Sequence, residues 1–444
     1  MDGRLRSCLI SLLGLWTTIA GCGRPPAKPV EEINARTDLP EASPIAIADN
    51  DWPWWRGIHR NNTAICEHAA TSWSDSENVL WKTPIAGRGH GTPSIVGDRI
   101  YLSTADEAAE KQLVICLDRA TGKQLWSTEV HSAGFAARSE MHPKSTHANA
   151  SVACDGHCLF IGFLNSEHIH ATCLSLDGEI LWRQDLGYFG SKFGFAPSPC
   201  IVGDLVVFAA DNRGGGFIAA LHRGTGDIAW RKARNNVDTY SPVIAADIEG
   251  ETQLLISGDN RVAAYDPQTG DELWSCPGTA EATCGSVVWH GNLVFASGGY
   301  PDRQTVCVDA TTGTKIWEDT VKCYEQSMLV AGDHLYCVND DGIAMCRDIT
   351  TGKMKWRHRL SGSISASPVL VGNLIYATNE AGTTWVFEAN PDSYKQVAQN
   401  QLGTESFASL AICNEQIFAR VATGNGPNRQ EYVYCIKSRA IHPH

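Results

Sequence analysis

The sequence predicts an all-β fold: an eight-bladed propeller of four-stranded antiparallel blades, with the last blade completed by a strand from the N-terminal side. Three observations lead there. Tryptophan recurs at a near-constant interval, a tight Asp-x-x-Thr-Gly turn precedes it in the clearest copies, and the repeating region starts with a spare fourth strand and finishes with a blade that lacks one. Length alone, 444 residues, suggests two or three domains, but an internal repeat overrides that expectation because a radial array grows as one unit.

The turn is clearest in Asp118–Trp126, Asp266–Trp274, Asp309–Trp317 and Asp348–Trp356, with weaker copies ending in Trp182 and Trp230. An aspartate side chain caps such a turn, and its glycine takes the left-handed backbone conformation that closes it. Alternating Val, Ile, Leu and Tyr on either side read as strands. A tryptophan at fixed phase gives each small sheet one large plate to wedge against its neighbour.

From Trp81 the phased tryptophans are 45, 56, 48, 44, 43 and 39 residues apart, near the 40–45 residues a four-stranded blade needs. A seventh unit, from Ser367-Pro368 to Phe387-Glu388, has Val397 near the place of the tryptophan. An eighth starts near Phe407, supplies Gln416–Val421 and Tyr432–Ile436, and lacks a fourth strand, whereas residues 79–83 are a fourth strand with no blade before them. Joining the two closes the ring and removes its exposed edges.

Residues 1–22 carry the parts of an export signal: Arg4 and Arg6, an apolar stretch from Cys8 to Ile19, and Ile19-Ala20-Gly21-Cys22. The last four resemble a bacterial lipobox, which implies a signal peptide over 1–21 and lipidation at Cys22, leaving a peripheral, tethered protein. Residues 22–50, rich in proline and poor in aromatics, read as a flexible tether, 51–438 as the propeller and 439–444 as a tail. The expected location is the cell envelope, facing periplasm or exterior.

The net charge of −13 argues against a nucleic-acid partner. Of sixteen cysteines, Cys116, Cys173, Cys307, Cys346 and Cys435 fall at one phase of a strand, as small buried hydrophobes do. Pairing among others, such as Cys154 with Cys158 or Cys276 with Cys284, stays open.

The Asp-x-x-Thr-Gly-x-x-x-Trp copies, with the opening Trp52-Pro53-Trp54-Trp55-Arg56-Gly57, resemble the pyrroloquinoline-quinone (PQQ) repeat propeller superfamily across residues 51–438. That superfamily holds quinoprotein dehydrogenases, non-catalytic barrel-assembly lipoproteins and uncharacterised exported proteins, so the resemblance implies a fold more sharply than an activity. In its dehydrogenases, PQQ is held near a vicinal Cys-Cys disulfide, with a Ca²⁺ ion on carboxylate and amide groups and an Asp as base. This chain has no Cys-Cys pair, no Cys-x-x-Cys-His and no hydrolase elbow or zinc-protease motif. The expectation is a monomeric, non-catalytic binding or scaffold protein without a cofactor. Its partners would be envelope proteins or small polar ligands; the alternative is an oxidoreductase using PQQ with Ca²⁺, or a metal.

One irregularity is the 56-residue interval, which carries an insertion from Val130 to Asn149 with His131, Glu140, His142, Lys144 and His147; His157, His168 and His170 follow. Their spacing matches no metal motif, so a polar rim loop is expected and no metal ligand is assigned. Loops that enter the inner strands converge on the axis, where propellers bind. On that geometry His90, Lys144, His147, Arg213 and Tyr240 are the candidate funnel-lining residues.

Overall fold

Eight sheets of four antiparallel strands, numbered here as blades, follow one another around an axis in a computed structural model that describes residues 29–190 and 193–438; the seventh gains a short parallel strand, Thr63–Ala64, on its inner edge. Blades 1 to 7 span residues 94–132, 153–188, 200–233, 244–277, 288–319, 329–359 and 369–401. Blade 8 takes three strands from 411–436 and its outermost from Val79–Ile85, with Trp81 opposite Cys435 and Ile85 opposite Glu431. The expected closure is therefore present. The inner strands of blades 1 and 8 also touch directly.

Each tryptophan works at a seam between blades. The indole N–H groups of Trp81, Trp126, Trp182, Trp230, Trp317 and Trp356 donate to backbone carbonyls of Arg119, Leu176, Arg223, Pro267, Ile349 and Asn390, all on the next blade. The turn glycine of that next blade lies flat on the indole: a Cβ on Gly122 would come within 2.5 Å of Trp81, and one on Gly352 within 2.6 Å of Trp317. Glycine is required there by contact as well as by its positive φ. The five phased cysteines each face a tryptophan across the ladder, Cys116 opposite Trp126 and Cys346 opposite Trp356 among them. All fourteen described cysteines are free thiols, so neither Cys154–Cys158 nor Cys276–Cys284 is a disulfide.

The residue before each tryptophan is a β-bulge. Leu80, Leu125, Leu181, Ala229, Leu273, Ile316 and Lys355 are skipped by the ladder, and so is Val397. A bulge twists the outermost strand and spoils it as a template for further pairing. It also corrects the reading of blade 7: Val397 is the exposed bulge residue, and Ala398, opposite Val386, holds the tryptophan phase. The missing indole comes from elsewhere. Trp73 stacks on Tyr376 with ring centres 6.3 Å apart, where Trp356 meets Tyr336 at 6.2 Å in blade 6. Asn400 holds it there, accepting the Trp73 backbone N–H at 2.9 Å and donating to the Thr71 carbonyl.

At the axis, each blade contributes one small hydroxyl residue just before its inner strand: Thr92, Ser151, Ser198, Ser241, Ser286, Ser327, Ser367 and Ser409. The backbone N–H of one donates to the hydroxyl oxygen of the next at 2.9 Å in the pairs 151–198, 286–327, 327–367 and 367–409. This belt explains why the inner strand starts with a small polar residue.

The N-terminal stretch differs from the expected tether. Ile33 and Arg36 bond along the outer strand of blade 3, and Ala46 donates to the Asp155 carbonyl in blade 2. Val30, Ala35, Leu39 and Ile47 pack on apolar clusters of those blades, so this stretch is docked rather than free. Residues 51–64 then plug one end of the ring. Trp52 pairs with Ile95, the Trp55 indole donates to Ser286, Asn62 donates to the Pro368 carbonyl, and the fully buried Arg56 donates to the Met328 carbonyl. Cys22 and the residues proposed as signal peptide and C-terminal tail lie outside the described residues. No described helix is long and apolar enough to cross a membrane.

Candidate functional site

With one end plugged, the other is where the chain's irregular loops gather. Antiparallel blades send two sets of loops to that end: those joining the outer strand of one blade to the inner strand of the next, and those joining second and third strands. His90, Lys144, His147 and Tyr240 lie on the first kind and Arg213 on the second, so all five candidates are at the same end.

They do not converge on one point. The loop after blade 1, residues 133–152, arches over the axis. Lys144 on it reaches carboxylates on the far side, Glu325 at 3.2 Å and Glu380 at 2.7 Å. Ser365 bridges the same two carboxylates. Partial burial works against the Lys144 ammonium, but the two glutamates prevail and raise its pKa. The insertion is thus a lid clasped by charge. Its base is held by Arg138, which donates to the Pro143 and Ser145 carbonyls, and by Asn149, which donates to Phe195 on the next loop.

His147 packs inside the lid, stacked on Phe135 at 4.0 Å, with Nε2 at 3.1 Å from the Ala136 carbonyl. His90 stacks on Phe407 at 4.6 Å, and its backbone N–H donates to Ala148 of the lid. Burial, then Arg88 and three further guanidiniums, push the His90 pKa well below its ordinary value, so the ring stays neutral. On the opposite flank Arg213 pairs with Asp238 at 3.1 Å and Glu281 at 3.4 Å. Tyr240 is buried edge-on to Phe193, with its N–H on the Thr283 carbonyl. Histidines 90 and 147 thus form one group, Arg213 and Tyr240 a second, and Lys144 spans between sides.

Sequence reasoning missed the acceptors of the clasp. Glu380 lies in Asn379-Glu380-Ala381-Gly382, a turn repeated as Asn339-Asp340-Asp341-Gly342 one blade earlier, so an acidic residue at this turn was a readable signal. Glu325 carried none.

The histidines of the insertion region are dispersed. His168 and His170 share a strand face as expected, His168 pairs with Asp185 at 2.8 Å, and the His131 and His170 rings are 4.9 Å apart. Among the described residues no three His, Cys, Asp or Glu side chains are grouped to hold a metal ion. For PQQ with Ca²⁺ the donor set is also wrong. The carboxylates under the lid, Glu325 and Glu380, are spanned by an ammonium and bridged by a serine, and no two of the described cysteines are adjacent in the chain. The residues present do not fit that group.

Comparison with known proteins agrees with the fold. The chain is 22% identical over 386 residues to the outer membrane protein assembly factor BamB of Yersinia pestis, covering 79% of this chain and 88% of that protein. Among solved structures, BamB from Moraxella catarrhalis superposes with a TM-score of 0.59 at 16% identity, over 82% of this chain and 98% of its own. The quinohemoprotein alcohol dehydrogenase of Comamonas testosteroni gives 0.63 at 12% identity, over 89% and 82%, and at such identities both structures are likenesses of fold alone. The family described as outer membrane protein assembly factor BamB matches residues 67–143, 110–358 and 304–392, and with most of the propeller so covered the chain belongs to that PQQ-repeat family.

Proposed function

We propose that this protein is a non-catalytic docking module of the cell envelope, lipid-anchored through Cys22, whose working surface is the lidded end of the ring. The observation that carries this reading is the clasp of Lys144 on Glu325 and Glu380. It roofs the axis and spends the axial carboxylates on holding a loop, so this end offers a contoured surface instead of an open reaction chamber. Relatives whose names place them in outer membrane protein assembly support an envelope setting and protein partners. The reading takes a monomer, no cofactor and no nucleic acid, in keeping with the charge of −13.

The test is a dye-linked dehydrogenase assay on the purified full chain with added PQQ and Ca²⁺. No turnover is expected. Turnover abolished by a substitution at Glu325 or Glu380 would establish the oxidoreductase alternative in its place.

A further inference from the structure

We propose that the rim between blades 8 and 1 is a receptor for carboxylates of an acidic peptide segment, with Arg88 and Arg138 as its binding groups and Arg429 beside them. This rests on the docking-module reading and names the chemistry of the partner.

The rim gathers guanidiniums in an otherwise acidic chain. Arg420 is buried and paired with the buried Glu431 at 2.7 Å. Arg429 forks between Glu405 at 2.5 Å and Glu431 at 2.8 Å. Those pairs consume the local carboxylates. Arg88 comes no closer than 4.0 Å to Glu405, and it approaches the same oxygen that already accepts from Arg429. Its Nε is buried without an acceptor, yet its side chain is 20% exposed, which leaves the outer guanidinium face open to a ligand. Arg138, on the exposed base of the lid, donates only to backbone carbonyls. Glu107 lies 3.6 Å from His147, and that contact together with Arg138 and Arg88 holds its carboxyl below the usual range, so it offsets the two arginines only in part.

Close guanidiniums destabilise one another, and Arg88 shows it: burial first, then Arg429, draw its pKa down. A ligand rich in oxygen acceptors, docked on the exposed guanidinium face, relieves that repulsion. Planar forked donors match planar two-oxygen acceptors, which favours carboxylates. Elsewhere at this end, Lys144 and Arg213 each already hold two carboxylates. The site is an open rim, so an extended acidic segment spanning two or three guanidiniums fits it better than a lone small anion. With a net charge of −13 the whole protein does not steer such a partner from afar. The patch sets the register of a partner already close.

The experiment titrates the full chain into a fluorescein-labelled hexaglutamate peptide and follows anisotropy, with a hexaglutamine peptide as control. The glutamate peptide alone should bind, and Arg88→Gln with Arg138→Gln should weaken it by about tenfold or more, the scale of losing charge-assisted hydrogen bonds. Arg88→Lys should retain part of the affinity. Circular dichroism and urea midpoints matching the unsubstituted protein show that the variants fold, and unchanged hydrogen exchange over 133–149 shows that the lid base held by Arg138 stays closed. Equal binding by the double variant overturns the proposal. So does binding of inorganic phosphate or phosphatidylglycerol vesicles that depends on Arg88 while the peptide fails to bind, because the oxyanion then comes from another source. If the peptide fails but a photo-crosslinker at this end still joins an envelope protein, the docking reading stands without this site.

Discussion

Replacing Trp73 by Ala tests whether an indole lent from outside blade 7 does the work of the one the blade lacks. Trp73 is 4% exposed and stacks on Tyr376, so truncation should cost about 3–5 kcal/mol, the usual range for a buried tryptophan. Ala398→Trp alone restores the repeat's own residue into space Trp73 already fills, and overpacking should cost about 1–3 kcal/mol. Independent effects would sum to about 4–8 kcal/mol in the double variant. If both indoles compete for one slot, the double variant should instead be more stable than Trp73→Ala, a coupling of about 2 kcal/mol or more. Urea unfolding followed by circular dichroism measures all four corners of the cycle. Additivity within about 0.5 kcal/mol would refute the substitution of one indole for the other.

Four further outcomes are expected. Gly122→Ala, whose Cβ would meet Thr83 and Trp81, should destabilise the protein by more than the backbone strain of about 1 kcal/mol that Gly97→Ala suffers with open space around it, read from the two urea midpoints. Lys144→Met should leave the urea midpoint within about 1 kcal/mol of the unsubstituted protein, because the pair is partly exposed, while speeding hydrogen exchange and proteolysis over 133–149. Burial, with His170 and Arg183, pushes the His131 pKa down to about 4. The unfolded chain then binds the extra proton first, so stability is lost as pH falls from about 6.5 and levels off below about 4, by up to about 1.4 kcal/mol per pH unit; His131→Phe should flatten that slope in pH-dependent unfolding. Membrane fractionation of Cys22→Ser should find the protein released, and retention would exclude lipid at that residue as the anchor.

What the sequence made legible was whatever repeats. Tryptophan, turn glycine and strand cysteine recur because every seam has the same geometry, and a repeated contact leaves a repeated residue. The closing strand was legible by subtraction, from a surplus at one end and a deficit at the other. Trp73 was not, because it breaks phase: it comes from the lead-in to blade 8 and fills a gap in blade 7, so only three-dimensional proximity connects it to Ala398. Val397 was misplaced by one residue because a bulge shifts the ladder without altering the alternation on either side. Residues 30–48 have the composition of a free linker, and the backbone hydrogen bonds that dock them carry no side-chain signature. At the candidate site, the loops were identifiable by their length and the side chains by their polarity. Which ion pairs form across the axis depends on where opposite blades put their turns, and no local pattern encodes that.

The seam joining Val79–Ile85 to Gln430–Ile436 also governs how the chain can fail during synthesis. Trp81 can settle on the Arg119 carbonyl of blade 1 as soon as that blade is made, leaving the strand's other edge bare until the final residues emerge. A chain cut short before residue 430 keeps that edge open indefinitely, and the nearest complementary strand is then the 430–436 segment of another, intact copy. Premature termination is therefore expected to give exchanged dimers and larger aggregates built on native-like pairing, rather than a soluble seven-bladed remnant.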